Sequence, residues 1–314
     1  RRWYFVLRHG RVGHCQAKYS IMKKFIVVTG GAGFVGSNLI ETLLKKTDHK
    51  ILSLDNYSSG SKKNHLKSSR VKYINGSTKN ISNIFKKNKK KISTIFHFGE
   101  FSRIYQSFLK LNACLDSNTI GTNSVFKFCL ENKIKLIYSA TSATLGNKGS
   151  DKNLSPYAFT KAKNLELLNN LKIWFNFKYE VIYFYNVYGP RQIKQGPMAT
   201  VIGIFERQYL KKIPLTVVKP GTQTRRFTHI NDTVDLCIYA WKKNSSKHYT
   251  ITNRKAFSIV EVAKMFKKKI VYLPPRKGER YASALTKMNL FNKVHKKYGK
   301  IQLKNYIQNF IKNC

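Results

Sequence analysis

The chain predicts an α/β fold, a doubly wound parallel sheet with helices on both faces, followed by a smaller C-terminal α/β lobe. Two observations predict it. Residues 24–39 carry the apolar run Phe25-Ile26-Val27-Val28 into a glycine cluster and then into an amphipathic segment. That order reads as buried strand, tight turn and helix start. Short apolar runs then recur between helix-like segments, at 50–55, 71–75, 91–98, 135–142 and 180–185. Strands separated by helices in this way lie parallel and bind ligands at their carboxyl ends. At 314 residues, either a large domain plus a lobe or one big domain fits.

The glycines stand at Gly30, Gly33 and Gly36. The first permits the turn, the second lets backbone approach a pyrophosphate, and the third lets helix pack closely on strand. The phosphate charge is then met by the N–H groups at Phe34 and Val35 and by the helix dipole. An ordinary strand–helix turn uses glycine in the same way, so the rest of the chain must decide. A helix is expected over Ser37–Lys46, burying Leu39, Ile40, Leu43 and Leu44. The second strand ends on Asp55, about 20 residues beyond the glycines, where a carboxylate takes both hydroxyls of an adenosine ribose. It would repel a 2′-phosphate, which favours NAD over NADP. A helix-cap or turn aspartate is the competing reading. Asn56, Ser59 and Gly60 follow in a polar loop at the adenine end.

The fourth strand empties through Phe98 into Gly99-Glu100-Phe101-Ser102, and a long helix is expected from about Leu115 to Asn132. The fifth strand ends on the hydroxyls of Thr141 and Ser142. Next comes Ser155-Pro156-Tyr157-Ala158-Phe159-Thr160-Lys161, with proline where a helix favours it. If both are helical, Tyr157 and Lys161 put phenol and ammonium on one face. A tyrosine anchoring a helix beside a solvent-facing lysine fits equally well. After the sixth strand comes Asn186-Val187-Tyr188-Gly189-Pro190-Arg191, and the pattern loosens. Helix-like stretches around 198–211 and 231–243, a strand at 248–252, a capped helix at 258–266 and a terminal helix near 303–311 close the chain. Residues 22–186 are expected to form the first domain and 187–314 the lobe, with some later segments returning to the first domain. Residues 1–21, basic and apolar before Met22, read as an extension outside the fold.

A formal charge of +45 invites a nucleic-acid reading. Its distribution opposes that reading, because lysines are strewn over every helix and loop, with short clusters at Lys86–Lys91 and Lys267–Lys269. Solvated lysine faces that attract anionic substrates are the simpler expectation, with no specific nucleic acid as partner. Five well-separated cysteines without a C-x-x-C pair read as reduced thiols of a cytoplasmic protein, neither a disulfide framework nor a metal site. No apolar run is long enough to span a membrane.

Taken together, the glycine spacing, Asp55, the hydroxyl-rich strand end and Tyr157-x-x-x-Lys161 are far more specific than any part. In this order they resemble the extended short-chain dehydrogenase/reductase family, a Rossmann-type fold, and within it the NAD-dependent nucleotide-sugar epimerases and dehydratases, most of all the UDP-glucose 4-epimerases. Asn118-Thr119-Ile120-Gly121-Thr122 looks like the family's N-x-x-G-T helix, and Asn186–Pro190 like its substrate-facing loop. Arg225-Arg226-Phe227-Thr228-His229-Ile230-x-Asp232 resembles its R-D-[FY]-x-H-V-x-D segment, and Arg276-Lys277-Gly278-Glu279-Arg280 its R-P-G-D segment that closes on the nucleotide. The resemblance implies that Gly30, Gly33, Phe34, Val35, Asp55, Asn56, Ser59, Gly60, Phe98, Gly99, Asn118, Tyr157 and Lys161 hold NAD. It implies Tyr157 as the base, Lys161 and the positive nicotinamide ring as the charges lowering its pKa, and Thr141 as the hydrogen-bonding partner of the substrate oxygen. Ser142, Asn186, Arg225 and Arg280 would contact a nucleotide-diphosphate sugar, and the active form would be a homodimer through two long helices, including the one after Tyr157.

Three departures bear on detail. Gly76-Ser77 stands where the family has Gly-Asp, Arg226 stands where it has Asp, and Leu145 stands where it has Tyr. The 4,6-dehydratases place Asp-Glu after the catalytic Thr, whereas here Ser142-Ala143 follow. Epimerisation, at C4 through a keto intermediate, is therefore the expected reaction, ahead of dehydration or reduction and of a non-catalytic nucleotide- or nucleic-acid-binding role. Glu100, where the family has a small residue, is a candidate substitute acid. His97 and His229 are expected to be structural.

Overall fold

The computed structural model describes residues 25–253, 255–278 and 301–314. The expected extension 1–21 and Arg280 lie outside the described residues. Strand β1 (Phe25–Thr29) leads into helix α1 (Phe34–Lys46), then β2 (Lys50–Asp55), β3 (Val71–Asn75) and β4 (Ile92–His97). Helices α2 (Ile104–Leu109), α3 (Leu111–Leu115) and α4 (Thr122–Glu131) follow, the last two joined by a π-helical stretch at Asp116–Gly121. Strand β5 (Lys135–Thr141), helix α5 (Pro156–Phe175) and strand β6 (Tyr179–Phe184) complete the first half. The second half holds α6 (Val201–Leu210), β7 (Leu215–Val218), α7 (Ile230–Trp241), β8 (His248–Thr250), α8 (Ile259–Met265), β9 (Ile270–Leu273) and α9 (Leu303–Lys312).

The main sheet is parallel throughout, in the order β8-β6-β5-β4-β1-β2-β3. Both faces are covered, so its strands are almost continuously apolar. Alternate residues go to opposite faces. Val27 joins Leu52, Leu54 and Ile95 in one core, whereas Ile26 and Val28 join Ile51 and Phe96 in the other. The chain leaves β1 towards β2 and β3, then returns to β4 on the opposite side. That reversal opens a crevice at the strand carboxyl ends.

Helix α1 starts at Phe34, three residues before the expected Ser37, with Gly33 as its N-cap. Gly36 therefore lies in the first helical turn, and a Cβ there would stand 2.2 Å from the Gly30 carbonyl oxygen. Helical structure after β4 likewise begins before the expected Leu115. Helix α5 opens on Pro156, as the sequence predicts, and Ser155 caps it, its Oγ accepting from the Ala158 amide at 3.1 Å. Asn176 ends it in the left-handed conformation, φ 51°.

Beyond β6, two groups of elements part company. Val234, Leu236 and Cys237 of α7 and Tyr249 of β8 pack into the main sheet's second core. Phe205 of α6, Leu215 and Val217 of β7, Val262 and Phe266 around α8, and Leu303 and Ile307 of α9 build a separate core. Strands β7 and β9 pair in parallel beside it. Ser258 and Glu261 form the reciprocal capping box that the sequence predicts for α8.

Candidate active site

A cleft of about 790 Å³ runs along the carboxyl ends of the strands. The sheet order sets what it meets. Asp55 ends β2, Gly30 follows β1, Gly99 follows β4, Thr141 ends β5 and Asn186 follows β6, and all five line the cleft. Asp55 and Thr141 are three strand spacings apart, roughly 14 Å. A single ligand meeting both must be long and must cross the switch point.

At the first end, Gly30 has φ +69°, and a Cβ added there would sit 2.9 Å from the Phe98 carbonyl. Only glycine lets the β1 turn pass so close to the β4 exit. Phe34, Val35 and Gly36 line the cleft at the start of α1, where no side chain caps the helix and no acid stands in the first turn. Such an N-terminus suits a pyrophosphate. Asp55 accepts from the Ala32 amide at 2.9 Å and the Tyr57 amide at 2.8 Å. Burial raises its pKa, and these amides oppose the rise. Asn56 and Ser59 line the wall beside it. Gly60 does not line it; a Cβ there would meet the Asp55 carboxylate at 2.8 Å, so its small size makes room for that carboxylate. The donor set of a helix N-terminus and a ribose-height carboxylate fits NAD. Ser77, in the place of the family's Asp, caps a short turn by accepting from the Lys79 amide, and it lines the cleft.

Midway along, Thr141, Ser142, Tyr157 and Lys161 meet in the same cleft. Helix α5 does bring Tyr157 and Lys161 to one face, and both are buried. Thr141 Oγ1 accepts from the Ala143 amide at 3.2 Å, which fixes the hydroxyl at the strand end. The Lys161 ammonium pairs with Glu100 and donates to the Ser139 carbonyl at 2.5 Å. Burial pulls the lysine's pKa down, and the Glu100 charge opposes this.

Glu100 lines the cleft beside these residues. Besides Lys161, its carboxylate accepts from Thr122 Oγ1 at 2.9 Å and the Tyr138 hydroxyl at 3.0 Å. Its carboxylate is thus committed to protein donors. A hydrogen-bonded chain continues from it. Thr29 Oγ1 accepts from the Phe98 and Gly99 amides, so its own proton goes to His97 Nδ1 at 2.7 Å. His97 Nε2 then donates to Thr122 Oγ1 at 3.0 Å, and Thr122 donates to Glu100. This requires a neutral imidazole, and burial pushes the His97 pKa down to about 4. Burial does the same to His229, also to about 4.

Asn118 differs from its expected place. It is fully buried and absent from the cleft wall; its Oδ1 accepts from the Phe101 amide at 2.7 Å and its Nδ2 donates to the Phe101 carbonyl at 3.0 Å. It clamps the loop after β4 to the helix behind it. Asn186 and Arg225 reach the far end of the cleft, where Asn186 donates to the Arg226 carbonyl at 2.9 Å. A second cavity of about 280 Å³ adjoins there, ending on Phe205, Phe227 and Arg276. Arg103 lines both cavities, and sequence reasoning does not single it out. The one signal for it is position, three residues past Glu100 in the loop leaving β4.

A parallel sheet of this order with a helix-start phosphate site at its switch point defines a dinucleotide-dependent enzyme scaffold. The family model for the NAD dependent epimerase/dehydratase family matches residues 26–253, and the chain belongs to that family, whose cofactor is NAD. It is 31% identical over 261 residues to ADP-L-glycero-D-manno-heptose-6-epimerase of Brachyspira hyodysenteriae, covering 77% of this chain and 80% of that one. It is 30% identical over 267 residues to UDP-N-acetyl-alpha-D-glucosaminuronate decarboxylase of Bacillus cytotoxicus, covering 77% and 79%. Its fold is similar to that of UDP-glucose 4-epimerase from Thermotoga maritima, solved with UDP-glucose. That match has TM-score 0.81 and 23% identity, over 92% of this chain and 97% of the other.

Among the described residues, no cluster could hold a metal ion and no helix is long and apolar enough to cross a membrane. Cys114, Cys129 and Cys237 are buried free thiols, and Cys314 is an exposed one.

Proposed function

We propose that this protein is an NAD-dependent nucleotide-sugar epimerase that inverts the sugar at C4 through a transient keto intermediate. One observation carries the reading: Thr141, Tyr157 and Lys161 share a cleft with the α1 start and Asp55, and that cleft leads on to Arg225. NAD would supply reversible hydride acceptance at the sugar carbon. Gly30, Gly33, Phe34, Val35, Asp55, Asn56 and Ser59 would hold it, with Phe98 and Gly99 under the switch point.

The rest is done by side chains of this chain. Tyr157 takes the proton of the sugar hydroxyl and later gives one back. A free phenol ionises at about pH 10, so it works near neutrality only when positive charge favours its base form. Lys161 supplies such charge from the next turn of the same helix. Thr141 orients the reacting oxygen, with Ser142 beside it. Arg225, with Arg276 and Arg280 of the closing segment, takes the diphosphate, because guanidinium groups suit phosphate oxygens. Ser142 and Ala143 leave the strand end without the carboxylates that dehydration needs, and Glu100 is engaged elsewhere. Two copies associate through the helices around Leu111, Leu115 and Phe159, whose side chains are exposed. We place the enzyme in the cytoplasm, where its free thiols stay reduced.

The purified protein, incubated with NAD and UDP-glucose or UDP-N-acetylglucosamine, is expected to yield the C4 epimer by NMR with no net NADH formed. Tyr157→Phe should lower turnover by about 10²–10⁴-fold. Undiminished turnover in that variant sinks the assignment, and a 4-keto-6-deoxy product makes the protein a dehydratase.

A further inference from the structure

The acid–base residues carry a charge imbalance. Lys161 and Glu100 line the cleft with side chains only 4% and 2% exposed, paired ammonium to carboxylate. When Tyr157 becomes a phenolate, the three side chains sum to one net negative charge, which a bound nicotinamide ring would balance but not exceed. Glu100 thus cancels the bias that Lys161 would otherwise give the phenolate, and a second protein cation would restore it.

The groups around Tyr157 can be taken element by element. Its own helix brings Lys161; α3 brings Cys114, and β5 brings Tyr138, neither of which can be positive. Lys79, Lys110 and Arg225 also line the cleft, and Lys277 lies over the Phe108 ring of α2, 5.1 Å from its centroid. The loop leaving β4 brings Glu100 and Arg103. Arg103 caps the start of α2, the helix that meets the start of α5 where the Tyr157 amide donates to Ser107 Oγ at 3.2 Å. Its guanidinium donates through Nε and Nη2 to the Met198 carbonyl, at 3.1 and 2.6 Å, and through Nη1 to the Ser102 carbonyl at 3.0 Å. These carbonyls orient the fork without neutralising it. Among the described residues, no carboxylate pairs with it.

We propose that Arg103 is the second cation of the acid–base set, offsetting Glu100 so that Lys161 and Arg103 together hold the Tyr157 phenolate. The loop after β4 thus brings both an acid paired with the lysine and a guanidinium whose chain neighbours Phe101 and Ile104 pack on the cluster around Tyr157. Burial lowers the proton affinity of Arg103, and the charge on the Tyr157 phenol raises it. Arg103 acts here as a positioning charge, and this role rests on the reading of Tyr157 as the base.

The test is a tyrosinate titration by ultraviolet difference absorbance on the full chain with NAD added, the Tyr157→Phe trace being subtracted. Arg103→Gln is expected to raise the Tyr157 midpoint by about one pH unit, and Glu100→Gln to lower it by about as much. The double variant should return close to the unsubstituted midpoint, and Arg103→Lys should recover most of the shift. An unmoved midpoint in Arg103→Gln, with only KM raised for the UDP-sugar, makes Arg103 a substrate contact and overturns the proposal. Should Arg103→Gln fail to fold, Glu100→Gln still decides: an unchanged or raised midpoint overturns it equally. The proposed reaction fails separately, on turnover surviving Tyr157→Phe.

Discussion

At the scale of single residues, burial decides what each titratable group can do. His97 is fully buried between Thr29 and Thr122 and must stay neutral for the hydrogen-bonded chain to Glu100 to hold. Its pKa in the fold is about 4, against an ordinary value near 6.5. Between those values the unfolded chain binds the extra proton, so stability rises with pH across that window and is lost as pH falls through it. For this residue the loss is on the order of 3 kcal/mol. Thermal melting of the wild type is expected to fall steadily from about pH 6.5 to pH 4, with the slope reduced in His97→Gln. An equal slope in both proteins assigns the acid sensitivity elsewhere. The structural role of His97 was legible from its place at the end of an apolar strand. The identity of its partners was not, since Thr29 and Thr122 lie 68 and 25 residues away.

At the scale of elements, the strand–turn–helix unit at β1 and α1 shows how a local pattern acquires a contact reason. Replacing a helical glycine with alanine ordinarily stabilises, by about 0.4–1 kcal/mol, through the unfolded chain. At Gly36 the sign reverses, because the added Cβ would lie 2.2 Å from the Gly30 carbonyl oxygen and 2.8 Å from its carbonyl carbon. Gly36→Ala is expected to destabilise by about 1–3 kcal/mol in urea unfolding. It should also weaken NAD binding, since the turn it displaces carries the phosphate-facing amides. A neutral or stabilising result shows that the helix can move off the strand at no cost. The spacing Gly30-x-x-Gly33-x-x-Gly36 marks the positions of close approach before any coordinates. It leaves open that the helix begins at Phe34, which moves Gly36 from the turn into the helix.

At the scale of the whole molecule, charge and apolar surface oppose each other. The net charge of +45 repels a second copy, whereas Leu111, Leu115, Ile120 and Phe159 stand out of neighbouring helices and favour one. Salt screens the repulsion and leaves apolar burial in place. The dimer fraction in sedimentation velocity is therefore expected to rise with ionic strength, and Leu115→Asp with Phe159→Asp should leave monomer at all salt concentrations. Loose polyanion binding through the same lysines should weaken over that range. A dimer that dissociates as salt rises points to an interface made of ion pairs instead.

What sequence alone determined about this protein was of short range. The alternation of apolar strands with helices, the glycine turn, the carboxylate ending β2, and the Tyr157–Lys161 pair on one helix face all follow from spacings within a few residues, because backbone geometry sets them. Tertiary structure decided which distant side chains share a buried volume. It tied Glu100 to Lys161 across 61 residues, turned Asn118 inward onto the loop at Phe101, and set Arg103 in the wall where Tyr157 emerges. A residue's type and neighbours in the chain do not say which way a loop turns once packed. Burial then makes that direction chemically decisive, since every charge placed there must be answered by another.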